Sequence, residues 1–217
     1  GSISGTTFTF GAGNTTLTAN YKNNSITLPT PTKTGSTFAG WYTDSALQHS
    51  AGNAGASFTA TANMTLYAKW NINQYTLTVN PNGGTWNNTT GNSTFKQNYG
   101  TTKTISNPTA PKGYTITFNT NGGNTVATQT TTKSFTNWSL SGAGSLSGTT
   151  FTFGDGDTTL TANYTSNPIT LPTPSKAGNT FGGWYTDPQC TVPVGNAGAS
   201  YTPTSDVTLY AKWTANN

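Results

Sequence analysis

Residues 4–11 have the sequence Ser4-Gly-Thr-Thr-Phe-Thr-Phe-Gly11, and residues 147–154 repeat it without a change. The repetition extends outward, because residues 1–70 align with residues 144–213 without a gap and 48 of the 70 aligned pairs are identical. A catalytic chain rarely needs its active site twice in line, whereas tandem modules provide length, spacing or several contacts. The duplication therefore predicts a tandem-repeat protein that is not an enzyme, and we expect the chain to be part of a longer array.

Strand patterns dominate the sequence. Four segments alternate apolar or aromatic residues with threonine or another small or polar residue: Thr7–Phe10, Thr16–Tyr21, Tyr75–Val79 and Tyr114–Phe118. This period of two is typical of half-buried β-strands. Asn82-Gly-Gly84 and Asn121-Gly-Gly123 are turn signals, because Asn-Gly tolerates positive φ. No segment of ten or more residues has a helical period, so the predicted fold class is mainly β with little helix.

Charged residues are scarce, and this excludes several functions. The chain has nine lysines, five aspartates, no arginine and no glutamate. Without arginine there is no planar fork for bidentate contacts with phosphate or guanine, so we expect no nucleic-acid binding. No apolar run approaches membrane-spanning length, so we expect no membrane insertion of this segment. No cofactor is expected.

The two copies are separated by a period of 143 residues. A second, weaker repeat, which we call the echo, lies inside this long period. Phe38-Ala-Gly-Trp41 followed by Thr65-Leu-Tyr-Ala-Lys-Trp70 is similar to Phe135-Thr-Asn-Trp138 followed by Thr159-Leu-Thr-Ala-Asn-Tyr164. The long period therefore holds two related units.

The echo predicts three modules: residues 1–72, a divergent module over 73–143, and residues 144–217. The Thr-Phe-Thr-Phe hairpin leaves two assignments open. It either opens the unit that ends in Tyr-Ala-Lys-Trp or closes the preceding unit. The three predicted ranges follow the first assignment.

Three motifs of the first copy carry a family resemblance: Leu28-Pro-Thr-Pro31, Phe38-Ala-Gly-Trp-Tyr-Thr-Asp44 and Leu66-Tyr-Ala-Lys-Trp70. The second copy carries them at residues 171–174, 181–187 and 209–213. Together they resemble the internalin B-repeat, also called the Listeria–Bacteroides repeat. The resemblance implies small β-grasp-like modules, arranged in tandem on large bacterial surface proteins, which act as stalks and interaction modules without catalysis.

The function implied is a non-catalytic stalk or spacer segment of a secreted bacterial surface adhesin. The array would be elongated and attached to the cell wall through parts outside this sequence, with neighbouring repeats of the same chain as its partners. The alternative is a module that binds a host glycan or a host surface protein. Its specificity would come from loops that differ between the copies, since residues 45–51 and 188–194 differ at every aligned position. Loops tolerate such change whether or not they bind, so the difference by itself does not favour this alternative.

The chain departs from the family pattern at one turn. The usual Asp-Ala-Asn-Gly-Gly opening occurs as Asn80-Pro-Asn-Gly-Gly84 and as Asn119-Thr-Asn-Gly-Gly123, both within the predicted middle module. The outer copies have only Gly11-Ala-Gly-Asn14 and Gly154-Asp-Gly-Asp157 where that turn would fall.

Aromatic residues are the candidate ligand contacts. The candidates for stacking on a sugar ring are Trp41, Tyr42, Tyr67, Trp184, Tyr185 and Tyr210. On an alternating strand, however, Tyr67 and Lys69 share one face, while Leu66, Ala68 and Trp70 share the other. The interpretation we favour places Leu66 and Trp70 in the module core with Phe38, since a module this small needs its aromatic residues inside. Trp41 is a further candidate for this core.

Polar residues offer little chemistry. Asp155 and Asp157 are spaced like ligands of a calcium turn, but the first copy has Ala12 and Asn14 there, and Ca²⁺ needs six to eight oxygen ligands. We therefore expect a plain turn and no metal site. His49 is the only histidine, so a catalytic triad would exist in one copy at most, and no catalytic residue is predicted.

Overall fold

The structure, a computed structural model, describes all residues from Gly1 to Asn217. It contains 21 β-strands and no helix, which confirms a mainly β fold. Accordingly, no helix is long and apolar enough to cross a membrane. The chain divides into two compact units, residues 1–71 (unit 1) and residues 72–217 (unit 2).

Unit 1 has short strands and little core. The strands are β1 (Ser2–Ser4), β2 (Thr7–Thr9), β3 (Ile26–Thr27), β4 (Ser36–Tyr42), β5 (Ser50–Gly52), β6 (Ser57–Phe58) and β7 (Tyr67–Ile72). β1 and β2 form a hairpin, β3 pairs with β6, and a three-stranded sheet has the order β5-β4-β7. Among the fully buried apolar side chains of the protein, only Leu28 belongs to this unit.

Unit 2 has longer strands. Those of its first part are β8 (Gln74–Asn80), β9 (Ser93–Asn98), β10 (Thr102–Thr104), β11 (Thr115–Asn119) and β12 (Gln129–Thr130). The next are β13 (Lys133–Gly142), β14 (Ser145–Ser147), β15 (Thr150–Thr152) and β16 (Thr158–Ser166). The last are β17 (Ile169–Thr170), β18 (Asn179–Tyr185), β19 (Pro193–Gly195), β20 (Ser200–Tyr201) and β21 (Val207–Ala215).

Two sheets of unit 2 share one topology. The first has the order β13-β16-β8-β9, and the second has the order β12-β11-β21-β18-β19. In each, the two central strands are parallel: Leu77 to Asn80 lie opposite Thr158 to Thr161, and Ile116 to Asn119 lie opposite Val207 to Tyr210. The outer neighbours of each central pair are antiparallel to it. Unit 2 therefore contains two copies of one arrangement.

The two copies are interlaced along the chain. Module A consists of β8 to β10 and β13 to β16, and module B of β11, β12 and β17 to β21. The first two strands of module B thus lie, in sequence, inside module A. The domain boundaries predicted at 72 and 143 stay predictions, but strand pairing crosses residue 143 in both sheets.

In unit 2, the repeated Thr-Phe-Thr-Phe hairpin does not open the unit that follows it, which is the assignment that our predicted boundaries assume. In unit 2 it comprises β14 and β15, and β15 pairs with β10 through Lys103 opposite Phe151. Phe151 and Phe153 are buried with Leu77 and Val79 in the core of module A. The hairpin therefore belongs to the module that begins at β8, where it lies in the sheet β10-β15-β14. The sequence alone favoured the other assignment because the contacts that place the hairpin, with β10 and with Leu77 and Val79, are distant along the chain.

Each module has its own core. Module A buries Leu77, Val79, Trp86, Ile105, Phe151, Phe153 and Leu160. Module B buries Ile116, Phe118, Leu171, Trp184, Leu209 and Ala211. In both cores the central parallel strands contribute alternate residues, as the period of two requires. The apolar face of the first strand therefore needs the apolar face of the last strand.

Replacing Phe153 and its repeat counterpart Phe10 tests this packing. Phe153 is 1% exposed and Phe10 is 89% exposed, although the surrounding sequence is the same. We expect Phe153→Ala to lower the free energy of unfolding of unit 2 by about 3–5 kcal/mol, because a buried aromatic ring is lost. Phe10→Ala should change stability by less than about 0.5 kcal/mol. Urea unfolding monitored by circular dichroism measures the stability of both variants. Equal effects of the two substitutions would contradict this packing.

Candidate functional site

An Asn-Gly-Gly turn follows the first central strand of each module, after β8 in module A and after β11 in module B. In module A, the Nδ2 group of Asn82 donates to the carbonyl of Ala162 at 3.0 Å. In module B, the Nδ2 group of Asn121 donates to the carbonyl of Ala211 at 2.8 Å. Both asparagines have positive φ, which asparagine tolerates better than most residues. Each turn therefore ties the end of the first strand to the middle of the last strand.

The last aromatic residue of each module covers the same turn. The hydroxyl of Tyr164 donates to the carbonyl of Pro81 at 2.7 Å, and Nε1 of Trp213 donates to the carbonyl of Thr120 at 2.8 Å. We call this arrangement of turn and aromatic residue the Asn-Gly-Gly lock. The indole and phenol rings stand in equivalent places, which shows that Trp213 and Tyr164 play one structural role.

The second glycine of each lock has no room for a side chain. A Cβ on Gly84 would lie 2.1 Å from the hydroxyl oxygen of Tyr164, and a Cβ on Gly123 would lie 2.7 Å from Cζ2 of Trp213. The adjacent backbone is equally close, since the carbonyl oxygen of Ser175 would be 2.9 Å from the Cβ of residue 123. Only glycine lets the aromatic ring close over the turn.

Gly123→Ala should open the lock of module B. We expect a loss of about 1–3 kcal/mol in the free energy of unfolding of unit 2, because the added methyl group forces Trp213 or the backbone to move. Gly182→Ala is the matched control, since a Cβ there would make only ordinary contacts, at 3.6 Å or more, with Lys212. Thermal unfolding with tryptophan fluorescence measures both. A Gly123→Ala protein as stable as the control would show that the lock contributes nothing.

Aspartates fix the start of each first strand. Oδ1 of Asp157 accepts the backbone N–H of Thr76 at 2.7 Å, and Oδ1 of Asp206 accepts that of Thr115 at 2.8 Å. Asp155 accepts the hydroxyl of Tyr75, and this hydrogen bond raises the pKa of the phenol. The Gly-Asp-Gly-Asp segment is thus a turn whose carboxylates hold the neighbouring strand. These roles were missed because each partner is more than 75 residues away.

Asp44 and Asp187 organise the loops that differ between the copies. The carboxylate of Asp187 accepts the backbone N–H groups of Thr191 at 2.9 Å and Val192 at 2.7 Å. That of Asp44 accepts the N–H of His49 at 2.7 Å. These backbone hydrogen bonds lower the pKa of both carboxyl groups. The loops keep one backbone support while their sequences change.

This support predicts a pH dependence. The pKa of Asp187 is lower in the folded state than its ordinary value, so its stabilising contribution is complete above about pH 4 and is lost as the pH falls through the lowered pKa. Asp187→Asn cannot titrate and should lack this component. The urea concentration at the unfolding midpoint should therefore decrease more between pH 7 and pH 3 for the natural chain than for the variant. Parallel declines would contradict this role of Asp187.

The predicted ligand-contact residues fall into two groups. Trp184 is 0% exposed and packs with its ring centroid 4.9 Å from that of Phe118, while its Nε1 donates to the carbonyl of Pro172 at 2.9 Å. Trp41 makes the same bond to Pro29 at 2.9 Å in unit 1 but is partly exposed. The tryptophans therefore face inward, and Trp184 offers no surface to a ligand.

The tyrosines face the other way. Tyr185 and Tyr210 are direct cross-strand partners, and Nζ of Lys212 lies 5.1 Å from the ring centroid of Tyr185. In unit 1, Nζ of Lys69 lies 5.2 Å from the ring centroid of Tyr42, and Tyr67 is exposed. The structure thus brings Tyr185, Tyr210 and Lys212 together as a small surface patch, which we call the tyrosine patch.

The remaining polar candidates lie apart. Nδ1 of His49 is 3.1 Å from the carboxylate of Asp44, and the His49 side chain is largely exposed. Cys190 is a free, partly exposed thiol in a backbone turn with positive φ. No group of three or more His, Cys, Asp or Glu side chains is placed to hold a metal ion.

Comparison with known families agrees with the repeated architecture. The Listeria-Bacteroides repeat domain matches residues 4–69, 114–153 and 150–212, which is most of the chain. The chain therefore belongs to the Listeria-Bacteroides repeat domain family, a family typical of bacterial surface proteins. No solved structure matches the chain.

Proposed function

We propose that this chain is a non-catalytic stalk or spacer segment of a bacterial surface adhesin. Its modules would be β-grasp-like units of the internalin B-repeat type, set in an elongated array outside the cell and anchored to the wall through other parts of the protein. The observation that carries this proposal is the interlacing of modules A and B through parallel central strands. Interlaced repeats extend a chain without leaving a loose linker between modules.

The direction of the central strands suits a load-bearing element. Tension along the chain pulls β8 from its N-terminal end and β16 from its C-terminal end. Because these strands are parallel neighbours, such tension slides them past each other and loads their hydrogen bonds together. β11 and β21 have the same relation in module B. Bonds loaded together resist force better than bonds that are peeled one at a time.

The use of ionisable residues supports a structural role. All five aspartates accept hydrogen bonds that hold a loop or a strand: Asp44, Asp155, Asp157, Asp187 and Asp206. A hydrolytic site would instead direct such groups into a common cleft. We therefore propose that the chain is not an enzyme and needs no cofactor.

Small-angle scattering on chains with increasing numbers of the 143-residue period tests the stalk. We expect the maximum dimension to rise by a constant increment with each added period. A radius of gyration that follows the scaling of one compact domain, about 2.2·N^0.38 Å for N residues, would contradict the proposal.

A second candidate function is binding of a host glycan or host surface protein, and the tyrosine patch favours it. Two neighbouring tyrosine rings beside a lysine provide an aromatic surface with hydrogen-bond donors. The variable loops supported by Asp44 and Asp187 would supply specificity. Neighbouring repeats of the same chain would remain its structural partners in either case.

Glycan arrays and pull-downs from host-cell extract test this alternative. Tyr210→Ser should abolish a signal that uses the tyrosine patch, and Tyr99→Ser, at another exposed tyrosine, should leave it unchanged. Absence of any signal from the natural chain would remove the support for binding.

A further inference from the structure

Unit 1 exposes apolar residues that its repeat buries. Phe10 is 89% exposed where Phe153 is 1% exposed, and Leu17 is 58% exposed where Leu160 is 0% exposed. Tyr21, the counterpart of the lock residue Tyr164, is 94% exposed. These residues are identical in type between the copies. The difference therefore comes from what covers them and not from the residues themselves.

In unit 2, one segment covers these positions. β8 lies parallel to β16 and brings Leu77 and Val79 against Phe153 and Leu160. β10 pairs with β15, and Pro81 accepts the hydroxyl of Tyr164. Unit 1 has the equivalents of β14 and β15 as the hairpin β1–β2, but nothing stands where β8 and β10 would lie.

A second open edge lies on β7. Its counterpart β21 pairs along one side with β18 and along the other with β11. β7 is the last strand of the sheet β5-β4-β7, so the side that would receive β11 is unoccupied. Leu66 is only half-buried where Leu209 is fully buried, and Tyr67 is 39% exposed. Exposed edges of this kind accept further strands.

We propose that unit 1 is a docking surface for a second copy of residues 73–131. In unit 2 this segment supplies β8, β9 and β10 to module A, and then β11 and β12 to module B. The strands that would cover the first half of unit 1 come first in this segment, and the strands that would pair with β7 come second. A single copy would therefore add strands to β2 and β7, and it would give residues 15–21, which form no strand in unit 1, the partner that β16 has in β8. Main-chain hydrogen bonds would provide affinity and alternate side chains would set the register.

The acceptor chemistry of unit 1 fits this occupant. The residues that would face the segment are the same as in unit 2: Phe8, Phe10, Leu17, Ala19, Tyr21, Leu66, Ala68 and Trp70. Three positions that bond the segment in unit 2 differ. Ala12 stands where Asp155 accepts a hydrogen bond from the hydroxyl of Tyr75. Asn14 and Asn63 stand where Asp157 and Asp206 accept the N–H groups of β8 and β11. An asparagine side-chain oxygen can accept the same bond without a charge.

This docking would link every 143-residue period to the next period by shared strands. Each copy of residues 1–71 accepts strands, and each copy of residues 72–143 donates them to the copy that follows. Neighbouring periods would then share sheets, as modules A and B do. The surface exists whether or not the chain acts as a stalk, because it depends on strand pairing alone.

Adding a copy of residues 72–143 before Gly1 of the full chain tests the proposal. The junction reproduces the natural Ala143–Gly144 sequence, since residue 1 is also glycine. Hydrogen–deuterium exchange should then slow at residues 15–20 and 64–68 by about 100-fold or more, toward the rates of residues 158–163 and 207–211. Amides paired within a folded sheet exchange only when the sheet opens.

The control carries Leu77→Asp and Ile116→Asp in the added copy only, which places charges where both cores need apolar side chains. We expect no slowing in this control, while exchange in unit 2 stays unchanged as an internal reference. Absence of slowing with the intact added copy would overturn the proposal. Equal slowing with the control would also overturn it.

Discussion

The parallel pairing of the first and last strand in each module is the constraint on which the rest of the structure depends. β8 with β16 and β11 with β21 bring together the apolar faces that form the two cores. The Asn-Gly-Gly lock acts at one end of each pair. At the other end, Asp157 and Asp206 accept backbone N–H groups of the first strand, and together these contacts fix the register. Parallel strands cannot be joined by a tight hairpin, so the chain between them must be long. That length makes room for interlacing.

Interlacing explains how a chain with few apolar residues folds. Only 31% of the residues are hydrophobic, and each module of unit 2 assembles its core from segments that are distant along the chain. The two copies of the repeat show the effect directly, since Leu160 and Leu209 are fully buried while Leu17 and Leu66 are not. Burial in this chain is decided by the partner segment and not by local sequence.

The sequence predicted the local structure well and the long-range pairing poorly. The alternation predicted for residues 66–70 holds at the equivalent positions of β21, where Leu209 and Ala211 are inside and Lys212 lies beside the ring of Tyr185, because alternation is a local property of a strand. The interlacing was missed because β11 pairs with β21 about ninety residues away, and no local pattern encodes that choice. The two Asn-Gly-Gly turns in the predicted middle module were the one signal of it, since a single module needs only one.

Nicking the chain at the exposed β14–β15 turn, between Gly148 and Thr149, tests the interlacing most directly. An engineered protease site there leaves β8 and β11 on one fragment, and β16 and β21 on the other. Exposed hairpin tips tolerate such cleavage. Because the central pairs join the fragments, they should elute together in native gel filtration and separate only in denaturant. Elution of residues 149–217 as a separate species without denaturant would contradict the interlaced architecture.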